Sequence, residues 1–225
     1  MPKKTKAKKI TDIKAEKPWL RKTGNVTYKI DSREMKKTIL IVCEGQSEEL
    51  YFKSFPVVSC TVTAYGLGMT KDSLVEAAIQ LKNEEDFDEV WCVFDMDINH
   101  GKREICAFDN AISKASKNNI MVAYSNDSFE LWYCLHFEYF DQQHRREIYN
   151  EVLSKKLGIN YTDEGKKYNY CKSIYSILNT NGSQKLAISR AKRLYKQQMS
   201  LVCSEQNPVT LVYQLVESLN KNIRN

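Results

Sequence analysis

The stretch TILIVC at 38–43 is apolar without interruption and rich in β-branched residues, and VWCVF at 90–94 repeats the pattern. Strands of this kind are buried on both faces, as in a parallel sheet covered by helices. Between and after them the pattern alternates. Gly45 interrupts the first run, and QSEELYFKSF (46–55) reads as a short amphipathic helix. VVSCTVTAY (57–65) reads as a second strand ending in a Gly66-Leu67-Gly68 loop, and Leu74, Ala77, Ala78 and Leu81 recur at helical spacing within 71–82. A third strand fits 89–95, a helix follows over about 103–117, and 120–124 is a fourth strand. Strands separated by helices in this way are joined by crossovers that return the chain in one direction, hence a parallel sheet. Beyond Ser125 the pattern is helical, over about 128–140, 142–157, 171–179 with 184–198, and 208–222. The last opens with Asn207-Pro208, a cap followed by proline at the first helical position. The expected architecture is α/β, a small parallel sheet of about four strands flanked by helices, with a helical C-terminal half.

Composition bounds the function classes. The chain of 225 residues is 42% hydrophobic and 28% charged, in the range of globular domains, and no apolar run approaches the roughly 18 residues of a membrane span. Seven cysteines is an odd number, and none falls in a Cys-x-x-Cys pair. That speaks against a disulfide framework and a zinc site, and with no secretion-signal pattern it sets the expectation of a cytoplasmic protein. The net charge of +6 is uneven: residues 1–23 carry nine Lys/Arg against Asp12 and Glu16. The remainder holds 25 basic and 26 acidic residues, so the basicity belongs to a tail. Residues 1–30 are read as a flexible basic tail that either binds polyanions without sequence preference or merely solubilises, followed by an α/β core over 36–140 and a helical region over 141–225.

Ligands of open parallel sheets bind beyond the carboxyl ends of the strands. There the first strand is followed by Glu44-Gly45, the third ends Phe94-Asp95-Met96-Asp97, and the fourth ends Ser125-Asn126-Asp127. Asp95 and Asp97 are two apart, so an extended chain points both to one face. Carboxylates gathered at one sheet edge repel unless a cation sits among them, and oxygen-only ligands select a hard ion, Mg²⁺ or Mn²⁺. Acidic residues also end strands simply as turn and cap formers, which an isolated Asp-x-Asp does not exclude. Asp95, Asp97 and Asn99 match the start of an EF-hand loop, but His100 and Cys106 stand where glycine and glutamate are needed. A haloacid-dehalogenase-type phosphatase places such a motif on its first strand rather than its third, and Ile98-Asn99 follows it here, leaving that reading a lesser alternative.

The segments ILIVCEGQSEELYFKSF (39–55), VWCVFDMD (90–97), YSNDSFELWYCLHF (124–137) and NPVTLV (207–212) resemble, in order, the RloB family. The resemblance implies a Toprim-like fold, in which a glutamate after the first strand and an Asp-x-Asp after the third form an acidic Mg²⁺ site. Glu44, Asp95 and Asp97 hold those positions, while Asp127 stands where the family commonly has proline. It further implies a role in bacterial phage defence or abortive infection, alongside an ATPase partner.

Further candidates have ordinary readings beside functional ones. Glu48 supplies an outer carboxylate or only favours a helix N-terminus. Glu130 is close to the site or completes a capping box with Asp127. His136 reads as a core or interface histidine rather than a proton shuttle, and the aromatic residues around it as packing or a dimer surface. Lys185, Arg190 and Arg193 lie on a helix whose basic face is either solvated or tracks phosphates, and Lys166-Lys167 sits among tyrosines as single-strand binders do. The expected function is Mg²⁺-dependent nuclease action on DNA or RNA. Its rival is a non-catalytic nucleic-acid- or nucleotide-binding sensor subunit. A homodimer is compatible with either.

Overall fold

The computed structural model describes residues 37–64, 70–97 and 101–223. The basic tail, the Gly66-Leu67-Gly68 loop and Ile98-Asn99 lie outside the described residues. The elements run β1 (Ile39–Cys43), α1 (Gln46–Lys53), β2 (Cys60–Ala64), α2 (Lys71–Glu84), β3 (Glu89–Asp95), α3 (Gly101–Lys117) and β4 (Met121–Asn126). They continue with α4 (Glu130–Cys134), α5 (Arg146–Leu157), α6 (Tyr161–Glu164), α7 (Tyr168–Asn181), α8 (Gln184–Gln198), a 3₁₀ turn (Cys203–Glu205), β5 (Val209–Thr210) and α9 (Val212–Asn222).

One sheet has the order β2-β1-β3-β4-β5, with β1 to β4 parallel and β5 antiparallel to β4. The fold is thus mixed α/β, with a mostly parallel sheet and a helical C-terminal half. Every side chain of β1 is buried, as is β3 from Val90 to Asp95, which is why their sequences are continuously apolar rather than alternating. The helices carry local stop and start signals: Thr70 Oγ1 accepts the Ser73 N–H of α2 at 3.2 Å, Ser183 Oγ accepts the Leu186 N–H of α8 at 3.3 Å, and Gly158 ends α5 at φ 68. Tyr51 and Phe52 of α1, with Phe55 just beyond its end, pack edge-on or tilted with Phe129, Tyr133 and Tyr175, and Trp132 Nε1 donates to Tyr51 Oη at 2.8 Å. The aromatic stretch around α4 is therefore core packing.

Three expectations are corrected. The segment 207–212 does not open a helix: Asn207-Pro208 is a cis peptide before β5, and α9 starts only at Val212. Main-chain groups at the outer edge of β4 take partners from Val209 and Thr210, and two residues are too few to show a period in the sequence. The helix expected over 128–140 stops at Cys134. The carbonyls that would carry it on are taken by another element: Arg190 Nη1 donates to Leu135 O at 2.6 Å and Ser183 N–H to His136 O at 3.1 Å. Nor do Asp127 and Glu130 form a capping box, because Asp127 Oδ2 accepts the Arg146 N–H at 3.0 Å, at the start of α5.

Candidate functional site

Because β2 lies on one side of β1 and β3 with β4 on the other, the chain's crossovers part between β1 and β3. A crevice opens at such a switch point beyond the carboxyl ends of the two strands. Cys43 is in register with Val93, and the chain continues pairing for one residue as Glu44 N–H donates to Val93 O at 3.0 Å. This sets Glu44 beside Asp95, whose N–H approaches Glu44 Oε2 at 3.4 Å. The neighbouring-strand placement of the two acids follows directly from the sheet order.

Asp97 arrives differently from expectation. The chain is not extended there: β3 ends at Asp95, and Asp97 has φ 51, a left-handed conformation that aspartate tolerates better than most residues. Its N–H donates to Asp127 O at 3.3 Å. Both carboxylates nevertheless meet one partner, Arg146, whose Nη2 lies 2.7 Å from Asp97 Oδ1 and 3.2 Å from Asp95 Oδ2. Arg146 Nε also stands 3.7 Å from Glu130 Oε2, and Lys166 Nζ is 3.7 Å from Glu130 Oε1. Glu44 has Lys71 Nζ at 3.8 Å.

Glu44, Glu48, Asp95, Asp97, Arg146 and Lys166 share the wall of a cavity of about 490 Å³ with the start of α1. A Cβ at Gly45 would stand 2.6 Å from Glu48 Oε2, so a side chain there would displace the Glu48 carboxylate. Burial pushes Glu48 up to about 7, with Glu130 and Glu44 adding to the effect. Burial also lifts Asp95 well above the ordinary carboxylate range, reinforced by Glu48 and Glu130 and opposed by Arg146. Glu44 is raised by burial, against the pull of Lys71. Burial opposes the Arg146 charge, yet Asp95, Glu130 and Asp97 hold its guanidinium protonated more firmly than in water.

Five sequence candidates, Glu44, Glu48, Asp95, Asp97 and Lys166, are thus brought to one cavity, with Glu130 behind it. Lys167 instead pairs with Glu164. On α8, Arg190 caps the Leu135 carbonyl and Arg193 lies over the Tyr139 ring at 4.6 Å; neither they nor Lys185 line the cavity. His136 is a core residue, with Nδ1 donating to Trp132 O at 3.0 Å and its ring edge-on to Trp132. The residue that sequence reasoning missed is Arg146. One signal was available: a cation in the first turn of a helix opposes the helix dipole and calls for a counter-charge.

Among the described residues, no three His, Cys, Asp or Glu side chains stand close enough to hold one metal ion. Arg146 is the cation that lies between Asp95 and Asp97. The donor chemistry still fits a hard divalent ion. Five carboxylates face Arg146, Lys166 and Lys71, an oxygen-only set that is acidic in excess when fully ionised. No described helix is long and apolar enough to cross a membrane.

Residues 39–219 match the family model described as RloB-like protein, which is well over half the chain. No curated protein and no solved structure matches it.

Proposed function

This chain belongs to the RloB-like family, and we propose that it is a divalent-metal-dependent nuclease whose Toprim-like site is built from Glu44, Asp95 and Asp97. The observation carrying this reading is the meeting of carboxylates from two adjacent strand ends in a cavity that also holds Arg146 and Lys166. An acidic wall facing cations suits a phosphodiester, which needs its charge neutralised and its phosphorus presented in line to water. Glu44, Asp95 and Asp97 would hold Mg²⁺ or Mn²⁺; when bound, the ion supplies charge neutralisation and a more acidic water. Lys166 and Arg146 orient the non-bridging oxygens. The water oxygen bonds to phosphorus as one P–O ester bond breaks. Glu48, with a pKa near neutrality, takes the proton from water or delivers one to the leaving oxygen.

A role in phage defence or abortive infection, with an ATPase partner that restrains or triggers the activity, is part of this proposal and is supported by the family resemblance alone. A second reading has a specific support of its own. Arg146 already satisfies Asp95, Asp97 and Glu130, as it would in a non-catalytic subunit that senses nucleic acid or nucleotide. One assay separates the two: full-length protein with Mg²⁺ or Mn²⁺ on DNA and RNA, wild type against Asp95→Ala and Glu44→Gln. The nuclease reading expects cleavage that falls at least about a hundredfold in both variants, the order of loss when a charge-stabilising group is removed. Cleavage surviving both substitutions removes this site. No cleavage of any substrate, with or without an ATPase, selects the sensor.

A further inference from the structure

We infer that Arg146 is an internal competitor of the metal: its guanidinium and a divalent ion take turns between Asp95 and Asp97, so that metal enters only as the arginine leaves. The inference rests on the metal-site reading above and assigns Arg146 the role of setting its affinity.

One guanidinium bridges carboxylates from three places, Asp95 at the end of β3, Asp97 beyond it and Glu130 at the start of α4. An ion coordinated by Asp95 and Asp97 would occupy the space that Nη2 holds at 3.2 and 2.7 Å from their oxygens. Like charges at that separation repel strongly in a half-buried site, so joint occupancy is excluded. The arginine is also poorly settled for a purely structural strut. Nε is buried with no hydrogen-bond acceptor, its nearest carboxylate oxygen being the 3.7 Å contact to Glu130. A guanidinium built as a permanent lock normally pairs through two parallel hydrogen bonds to one carboxylate. Its charge sits at the first turn of α5, where the helix dipole disfavours it, so only the carboxylates keep the head in place.

The stem, by contrast, is anchored. The Arg146 N–H is held by Asp127 Oδ2, and Asp127 O in turn accepts from Asp97 N–H. The side chain is 31% exposed and lines the cavity beside Lys166, so a displaced head moves into the cavity without any backbone shift. There it faces the position of the phosphate together with Lys166. The same residue thus closes the acidic site in the absence of metal and serves substrate in its presence.

The test is titration calorimetry of full-length protein with Mn²⁺ alone, with thermal melting in EDTA and in Mn²⁺. Arg146→Gln removes the competitor and leaves carboxylates whose mutual repulsion the ion relieves. It binds Mn²⁺ at least about tenfold more tightly than wild type, melts lower in EDTA, and gains more from Mn²⁺ than wild type does. Arg146→Lys keeps a cation and stays within about threefold of wild type on the same reasoning. Should Arg146→Gln not fold, Asp127→Ala removes the acceptor that holds the stem while keeping the guanidinium, and binds Mn²⁺ more tightly than wild type. Wild type and variants binding Mn²⁺ equally, or the variants more weakly, overturns the inference and leaves the metal site standing. Absence of Mn²⁺ binding in every protein overturns the metal site itself, and the competition with it.

Discussion

His136 shows how far one side chain's meaning depends on its surroundings. It is buried, its Nδ1 hydrogen is used by Trp132 O, and Nε2 has no partner among the described residues. Burial lowers its pKa from the ordinary 6.5 to about 4, with Arg190 pushing the same way. The unfolded chain therefore takes up a proton that the folded chain refuses. The stabilisation is complete above about pH 6.5 and is lost as pH falls toward 4, amounting to about 3 kcal/mol. Denaturation of wild type against His136→Gln at pH 7.5 and pH 4.5 measures this as a difference in which other groups cancel. The gap in stability between them shifts toward the variant at the lower pH; a gap unchanged with pH refutes it. That the histidine belongs to the core or an interface was legible from Phe129 and Trp132, which precede it at helical spacing. The left-handed backbone of Asp97 was not, since aspartate visits that region only occasionally and the expectation of an extended chain ran on from β3.

Among the elements, α8 was legible at both ends and α2 to within two residues of its end, because each repeats its buried positions at helical spacing. Helix α4 was legible only at its start. Its end is set by Arg190 and Ser183 from a segment some fifty residues later, which claim the carbonyls of Leu135 and His136. Sequence periodicity runs through Phe137 and Phe140 regardless, since those residues still face the core. Arg190 is thus a joint between α8 and α4 before it is a surface charge. Arg190→Ala leaves the Leu135 carbonyl without its charged donor and lowers unfolding stability by about 1–3 kcal/mol in urea denaturation. Arg193→Ala, which gives up a stacking contact with Tyr139, costs less, under about 1 kcal/mol. Equal costs for the two would refute the joint. Strand β5 illustrates the opposite limit, being too short to leave any signature but the proximity of a proline.

At the scale of the whole molecule, charge is divided between an acidic cavity and a basic N-terminal segment. Residues 24–225 are nearly neutral, so long-range attraction to polyanions is predicted to come from the tail. Deleting residues 1–23 weakens binding to mixed-sequence nucleic acid and flattens the dependence of log affinity on log salt, measured by anisotropy at several salt concentrations. An unchanged slope would assign the attraction to the folded surface instead.

Local pattern was enough to set strands β1, β3 and β4, the helices between them, and the fact that Glu44, Asp95 and Asp97 sit at strand ends. These follow from side-chain burial repeating over a few neighbouring residues, which is written along the chain. The order of strands is a property of pairs distant in sequence, and it alone put β1 against β3 and so Glu44 against Asp95. The same holds for Arg146, which reaches Asp95 across fifty-one positions. No local pattern encodes that meeting, because it depends on where Asp127 holds the first turn of α5.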